Sequence, residues 1–159
     1  MATLCPLPDS AKVMSLLGLL FEGLEVKPGG SFDGSPASGA WFGMFVDDGG
    51  TLIALCGTDL PLSASLGAAL SMLPGAAVKD SIKSRELSRT MTENLREVMN
   101  IATRLMMSDT SAHLKLEHIY PSKTLPASAV ALLRGSTAHT EFQVQVPRYG
   151  GGVLTLLSA

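Results

Sequence analysis

Two runs rich in apolar residues, Trp41 to Val46 and Thr51 to Cys56, stand on either side of Asp47-Asp48-Gly49-Gly50. Aspartate and glycine tolerate the positive φ that a tight connection between antiparallel strands demands, so this stretch predicts a β-hairpin and commits the chain to an antiparallel sheet. The rest of the chain arranges itself around that pair. Upstream, Asp9-Ser10 forms a plausible helix cap, and Val13, Leu16, Leu17, Leu20, Phe21 and Leu24 recur at helical spacing until Lys27-Pro28-Gly29-Gly30. That spacing predicts a first helix of about four turns.

Downstream of the hairpin, Leu62 to Leu73 is small and apolar throughout and ends at Pro74-Gly75, which predicts a short buried helix close behind Pro61. Leu87, Met91, Leu95, Val98, Met99, Ala102, Leu105 and Met106 then form one apolar stripe. The stripe predicts a long helix that begins between Asp80 and Ser84 and runs to about Met107. His113 to Tyr120, Ala129 to Leu133, Glu141 to Val146 and Gly152 to Leu157 read as strands, the last two joined as a hairpin through Pro147-Arg148-Tyr149-Gly150-Gly151. Strands that follow helices, without βαβ alternation, predict an α+β class with helices on one face of a largely antiparallel sheet.

With 159 residues and 46% apolar side chains, the chain fits one domain over 1–159, with a flexible N-terminal segment over 1–9. Residues 1–80 carry 3 Lys/Arg against 8 Asp/Glu, and residues 81–159 carry 9 against 6. With aromatics at only 5%, neither a dense basic stripe nor a stacking platform exists, which excludes nucleic acid as an expected partner. Cys5 and Cys56 lack any pairing pattern and are expected to be free thiols, with Cys56 in the core. The longest apolar block, Val13 to Phe21, is too short to span a bilayer and no signal peptide precedes it, so a cytoplasmic location without membrane insertion is expected. His113, His118 and His139 have no metal-ligand spacing with either cysteine, and His113 and His118 are expected on opposite faces of one strand. The glycine pairs lack phosphate-loop spacing and predict turns.

The long helix carries the candidate chemistry. With about 100° per residue and Glu97 as origin, Glu93 falls near −40°, Asn100 near −60° and Arg104 near −20°, opposite an apolar stripe at roughly 80° to 200°. Glu97 and Asn100, about 4.5 Å apart along the axis, can therefore reach one small target on a partner together. Ile101, near +40°, borders this polar face, either as an apolar contact for a docked partner or as a core boundary residue. Polar faces are ordinary on surface helices. An asparagine in an exposed helix interior is less so, because it is a poor helix former.

Glu93, Glu97, Asn100 and Pro121 match the pattern Asp/Ser-x-x-x-Glu-x-x-Asn followed some twenty residues later by Pro. In this the chain resembles the CheC/CheX/FliY family of chemotaxis phosphatases, and more closely its CheX-like branch, with a single copy of the signature. Two departures stand out: Glu93 replaces the usual Asp or Ser, and the interval from Asn100 to Pro121 is slightly shorter than the commonest one. The resemblance implies an enzyme that removes the phosphoryl group from the aspartate of a CheY-like response regulator. Glu97 would then pair with a regulator lysine, and Asn100 would enter the regulator's active site to orient the attacking water. Glu93, Ile101, Arg104 and Pro121 would support docking. The resemblance further implies no cofactor of its own, a divalent metal on the partner, and a homodimer. The alternative is a catalytically inactive adaptor of the same fold that binds a receiver domain or another signalling protein.

Overall fold

The computed structural model describes residues 5–136 and 138–159. Among the described residues six strands form one antiparallel sheet in the order β1-β5-β6-β3-β2-β4. They are β1 (Glu25–Pro28), β2 (Trp41–Val46), β3 (Leu52–Thr58), β4 (Lys115–Pro121), β5 (Ala138–Val146) and β6 (Gly150–Ser158). Five α-helices accompany them among the same residues: α1 (Ser10–Leu17), α2 (Leu60–Ala69), α3 (Ala76–Ser84), α4 (Arg89–Ala102) and α5 (Ala127–Gly135). This is the α+β class that the sequence implies.

The β2–β3 hairpin follows from its turn chemistry. The Asp47 carboxylate accepts the backbone N–H groups of Gly49 at 3.0 Å and Thr51 at 2.9 Å, and Gly50 takes φ 84°. Trp41 lies opposite Thr58 in the resulting register. On its other side β2 pairs with β4, which sets Trp41 opposite Pro121.

Several elements differ from the sequence expectation. The long helix from residue 80 or 84 to 107 is two helices and a 3-10 turn. α3 ends at Arg85, whose φ of 60° is left-handed, and α4 starts afresh after Ser88, whose Oγ accepts the Met91 N–H at 3.2 Å. The last expected turn is the 3-10 segment Thr103–Met106. Leu87 precedes α4 and packs beside Met91, so it continues the apolar stripe without being helical. The strand expected at Ala129 to Leu133 is helix α5. Pro126 precedes a run of strong helix formers, and a short apolar run fits either element by periodicity alone. α1 makes only about two turns, and Leu20, Phe21 and Leu24 follow it in turns closed by Gly23 at φ 81°. β1 was not expected. It is a four-residue edge strand, the place in a sheet where Pro28 is tolerated. His113 lies before β4 begins, so it does not share a strand with His118.

Helices occupy both faces of the sheet, not one. α4 lies over β2 and β4 at Gly43, where a Cβ would stand 3.0 Å from Met99 and from Leu116. α5 packs against Met44, Leu55 and Leu157. Gly43 and Met44 are consecutive in one strand and so face opposite ways. The main core lies between the sheet and α1, α2 and α4, with Leu62, Leu66, Leu95, Met99, Phe45 and Leu156 all buried. Cys5 and Cys56 are free and buried within it. The expected flexible segment over 1–9 falls in part on residues 1–4, outside the described residues. Of the remainder, Cys5 and Pro8 are buried and Asp9 caps α1 through the Lys12 N–H at 2.9 Å.

Candidate functional site

α4 is the most strongly two-sided helix of the protein. Met91, Leu95, Val98, Met99 and Ala102 are buried, while Glu93, Arg96, Glu97 and Asn100 are exposed. Close packing fixes its position on two sides. Gly43 admits Met99 to β2, and Gly67 of α2 sits where a Cβ would meet the Met91 backbone oxygen at 2.8 Å. Asn94 adds a polar tie, its Nδ2 donating to the Gly67 carbonyl at 2.7 Å and to Ser71 Oγ at 2.8 Å. A ridge held in this way can present side chains with little freedom of its own.

Glu97 and Asn100 stand on the exposed side of that ridge. Among the described residues, neither side chain makes a hydrogen bond or an ion pair. The contrast within one helix is direct: Asn94 is used by the fold, and the Asn100 side chain is not. Only the Asn100 carbonyl is engaged, accepting from Thr103 Oγ1 at 2.7 Å where the helix tightens into the 3-10 turn. Arg104 is exposed within that turn, two residues beyond the end of α4, and Ile101 is half-buried at the border of the face.

Glu93 lies one turn before Glu97 on the same exposed side of α4, and Pro121 ends β4. Both line a groove of about 290 Å³ between α4 and β4, together with Trp41, Arg96, His118 and Tyr120. Glu93 also lies 3.8 Å from Arg89, an i,i+4 pair. Across the groove Arg96 Nη1 donates to His118 Nδ1 at 3.3 Å, and His118 packs edge-on against Tyr120. The sequence does not point to Arg96, His118 or Trp41 as site residues. Trp41 and His118 join the groove only through the β2–β4 register, which no local pattern encodes.

The arrangement holds neither an internal nucleophile paired with a base nor, among the described residues, a group of three or more His, Cys, Asp or Glu side chains placed to hold a metal. Among those residues no helix is long and apolar enough to cross a membrane. A carboxylate and a carboxamide displayed side by side can accept from a cation and hydrogen-bond a water, provided another molecule brings both.

Neither a protein-family model nor a curated protein sequence matches the chain. Among solved structures, FliY of Thermotoga maritima matches with a TM-score of 0.54 at 9% identity, over 94% of this chain and 82% of that one. The chain has the CheC/CheX/FliY fold. Two further structures align over nearly the same span at lower TM-scores. One is the FliM middle domain of Vibrio alginolyticus (0.48, 14% identity, 93% of this chain and 86% of that one). The other is a CheX-CheY complex with BeF3 and magnesium from Borrelia burgdorferi (0.46, 10% identity, 94% and 97%). Of the signature-like residues of this chain, Glu93, Glu97 and Asn100 are exposed on α4 and Pro121 ends β4.

Proposed function

We propose that the protein is a phosphatase that lays α4 on a CheY-like response regulator and orients water for hydrolysis of its aspartyl phosphate. The observation that carries this reading is the pairing of Glu97 and Asn100 on the exposed face of a firmly packed helix, with neither side chain used by the fold. Glu97 engages a lysine of the regulator. Asn100 enters the regulator's site and holds a water in line with the phosphorus through its carboxamide. Phosphoryl transfer asks little covalent work of the protein, so placing the water is a sufficient contribution. An acceleration of about 10²-fold corresponds to roughly 2.7 kcal/mol of barrier, within reach of one well-placed amide. The divalent metal belongs to the regulator. Arg104 and Ile101 extend the contact beyond Asn100, and Glu93 and Pro121 flank it from the groove. The protein acts in the cytoplasm as one domain and pairs with a second copy through a sheet edge, where unpaired strand groups recruit partners.

The test is the decay of a phosphorylated cognate receiver with catalytic amounts of the protein. Asn100→Ala is expected to abolish the acceleration and Glu97→Ala to weaken receiver binding. Decay as fast with Asn100→Ala as with the parent refutes the assignment.

One observation favours the second reading, an adaptor without turnover. Glu93, which departs from the signature, forms an exposed 3.8 Å pair with Arg89 and lines the α4–β4 groove together with Pro121. Tight binding of phosphorylated receiver with no faster phosphate release would select this reading. Release at substoichiometric protein excludes it.

A further inference from the structure

The charges of α4 sort into two that are matched within the helix and two that are not. Arg89 and Glu93 lie 3.8 Å apart, one turn from each other. Arg96 and Glu97, both exposed, make no ion pair among the described residues. Asn100 stands between these two around the helix. With Glu97 as origin and about 100° per residue, Asn100 bears near −60° and Arg96 near −100°. Asn100 is also one turn beyond Arg96, which sets their Cβ atoms about 6 Å apart. The exposed ridge therefore presents an anion, a carboxamide and a cation side by side.

Among the described residues the Arg96 side chain makes one hydrogen bond, its Nη1 donating to His118 Nδ1 at 3.3 Å. A guanidinium has no acceptor, so Nδ1 supplies the lone pair, the imidazole is neutral and its proton is on Nε2. Such a partner directs Arg96 without offsetting its charge. The bond is also longer than is usual for an N–H donor, so the guanidinium can leave it at little cost. It draws Arg96 toward β4, over the groove of about 290 Å³ that Arg96 lines with Trp41 and Tyr120.

From this we infer that the receiver docked on α4 carries a carboxylate that Arg96 takes, on the groove side of its phosphoryl site and opposite the lysine that Glu97 takes. Arg96's role rests on the docking of a receiver proposed above, not on turnover. Charge complementarity requires an anion where an unmatched cation meets the partner. Two arguments make that anion a carboxylate. The phosphorus and its water lie opposite Asn100, whereas Arg96 leans away toward His118. A protein that holds a divalent metal of the magnesium kind does so through carboxylates, so acid surrounds the receiver's site. The planar guanidinium fork suits a carboxylate in both shape and charge. Opposite charges on the two sides of Asn100 then fix how the receiver lies, because the reversed pose brings like charges together. Arg96 is thus a positioning residue for the carboxamide.

The experiment is fluorescence anisotropy of a labelled cognate receiver, with and without beryllofluoride and magnesium, against the parent and its α4 variants. Arg96→Ala is expected to weaken binding of both receiver forms by the same factor, about tenfold, with Tm within about 2 °C of the parent. Arg96→Lys should lose less, and Arg96→Glu more. When exposed carboxylates of the receiver are changed to lysine one at a time, one change is expected to restore binding of Arg96→Glu about tenfold, which no merely structural role of Arg96 would produce. His118→Ala, which removes the hydrogen bond and keeps the cation, should bind within about threefold of the parent. A loss with His118→Ala as large as that with Arg96→Ala overturns the inference, since the pair would then act by shaping the groove. A loss confined to the beryllofluoride form overturns it too, by making the phosphoryl group the anion, and so does failure of every receiver variant to restore Arg96→Glu. Asn100→Ala separates this outcome from the phosphatase reading. If Asn100→Ala loses accelerated decay while Arg96→Ala binds as the parent does, the inference is refuted and the reading stands. If Asn100→Ala keeps accelerated decay while the charge exchange restores binding, the reading is refuted and the inference stands. A parent that binds neither receiver form refutes both.

Discussion

Two asparagines on α4 separate a residue used by the fold from one left free for a partner, and replacing each by alanine reads the difference out. Among the described residues the Asn100 side chain makes no hydrogen bond, so Asn100→Ala removes only the poor helix propensity of asparagine and should stabilise by about 0.5 kcal/mol. Asn94 donates to Gly67 O and Ser71 Oγ at 2.7 and 2.8 Å. Its loss strands a carbonyl near the end of α2 at a cost of about 1–3 kcal/mol, less the same half kilocalorie of propensity. In a chain of this length 1 kcal/mol moves Tm by roughly 2–4 °C. Asn94→Ala should therefore melt about 1–10 °C below the parent, and Asn100→Ala about 1–2 °C above it. Urea titration with unchanged m-values should return the same order. The informative combination is a protein that is more stable and yet no longer accelerates receiver dephosphorylation, since no unfolding explains such a loss. If Asn100→Ala is destabilised by more than about 1 kcal/mol, the Asn100 side chain is structural and the docking argument fails.

Three further outcomes follow from the packing. Gly67→Ala improves helix propensity, but its Cβ meets the Met91 backbone oxygen at 2.8 Å, so it should destabilise by about 1–3 kcal/mol through separation of α2 from α4; a rise in Tm would contradict the close approach. Asp59 caps α2 through the Leu62 N–H at 3.0 Å and holds the Val153 N–H at 2.9 Å, so Asp59→Ala should cost about 2–3 kcal/mol, and a loss below 0.5 kcal/mol by urea unfolding would refute its bridging role. Burial pushes the Cys56 thiol up to about 12 and the Cys5 thiol up to about 11, the nearby Lys12 charge opposing the second shift. Folded values above the unfolded ones mean that this contribution is complete below the ordinary thiol range and disappears as pH rises toward 11 and 12. Stability should accordingly fall above about pH 9, more steeply than in a Cys5→Ser, Cys56→Ala double variant. Disulfide-exchange reagents at pH 8 should label both thiols only after unfolding, and prompt labelling of native protein would contradict their burial.

The parts of this molecule that its sequence discloses are those whose cause is local. Asp47-Asp48-Gly49-Gly50 builds its turn from its own side chain and glycines, and the outward bearing of Glu97 and Asn100 follows from helical period alone. Where the cause is distant, the reading slips. Leu87 belongs to the apolar stripe because it packs beside Met91, so periodicity counted it as helical although Arg85 and Ser88 break and restart the chain around it. Ala129 to Leu133 is apolar because Met44, Leu55 and Leu157 need covering on the second face of the sheet, and that need does not specify strand or helix. β1 exists only because the edge of β5 is open to it.

The same division runs through the site. Glu97 and Asn100 require only the helix, whereas the meeting of Glu93 with Pro121 requires β4 to pair with β2 so that Trp41 lies opposite the proline. A signature read along the chain thus combines two kinds of element: a pair that can act wherever the helix is exposed, and a pair that acts only once the sheet is assembled. Changing Pro121 should therefore disturb the groove and leave the ridge intact. A Pro121→Ala protein that keeps its fold is expected to bind a receiver more weakly while accelerating decay at saturating receiver as the parent does. A lower rate at saturation with unchanged binding would instead place the groove in contact with the reacting groups.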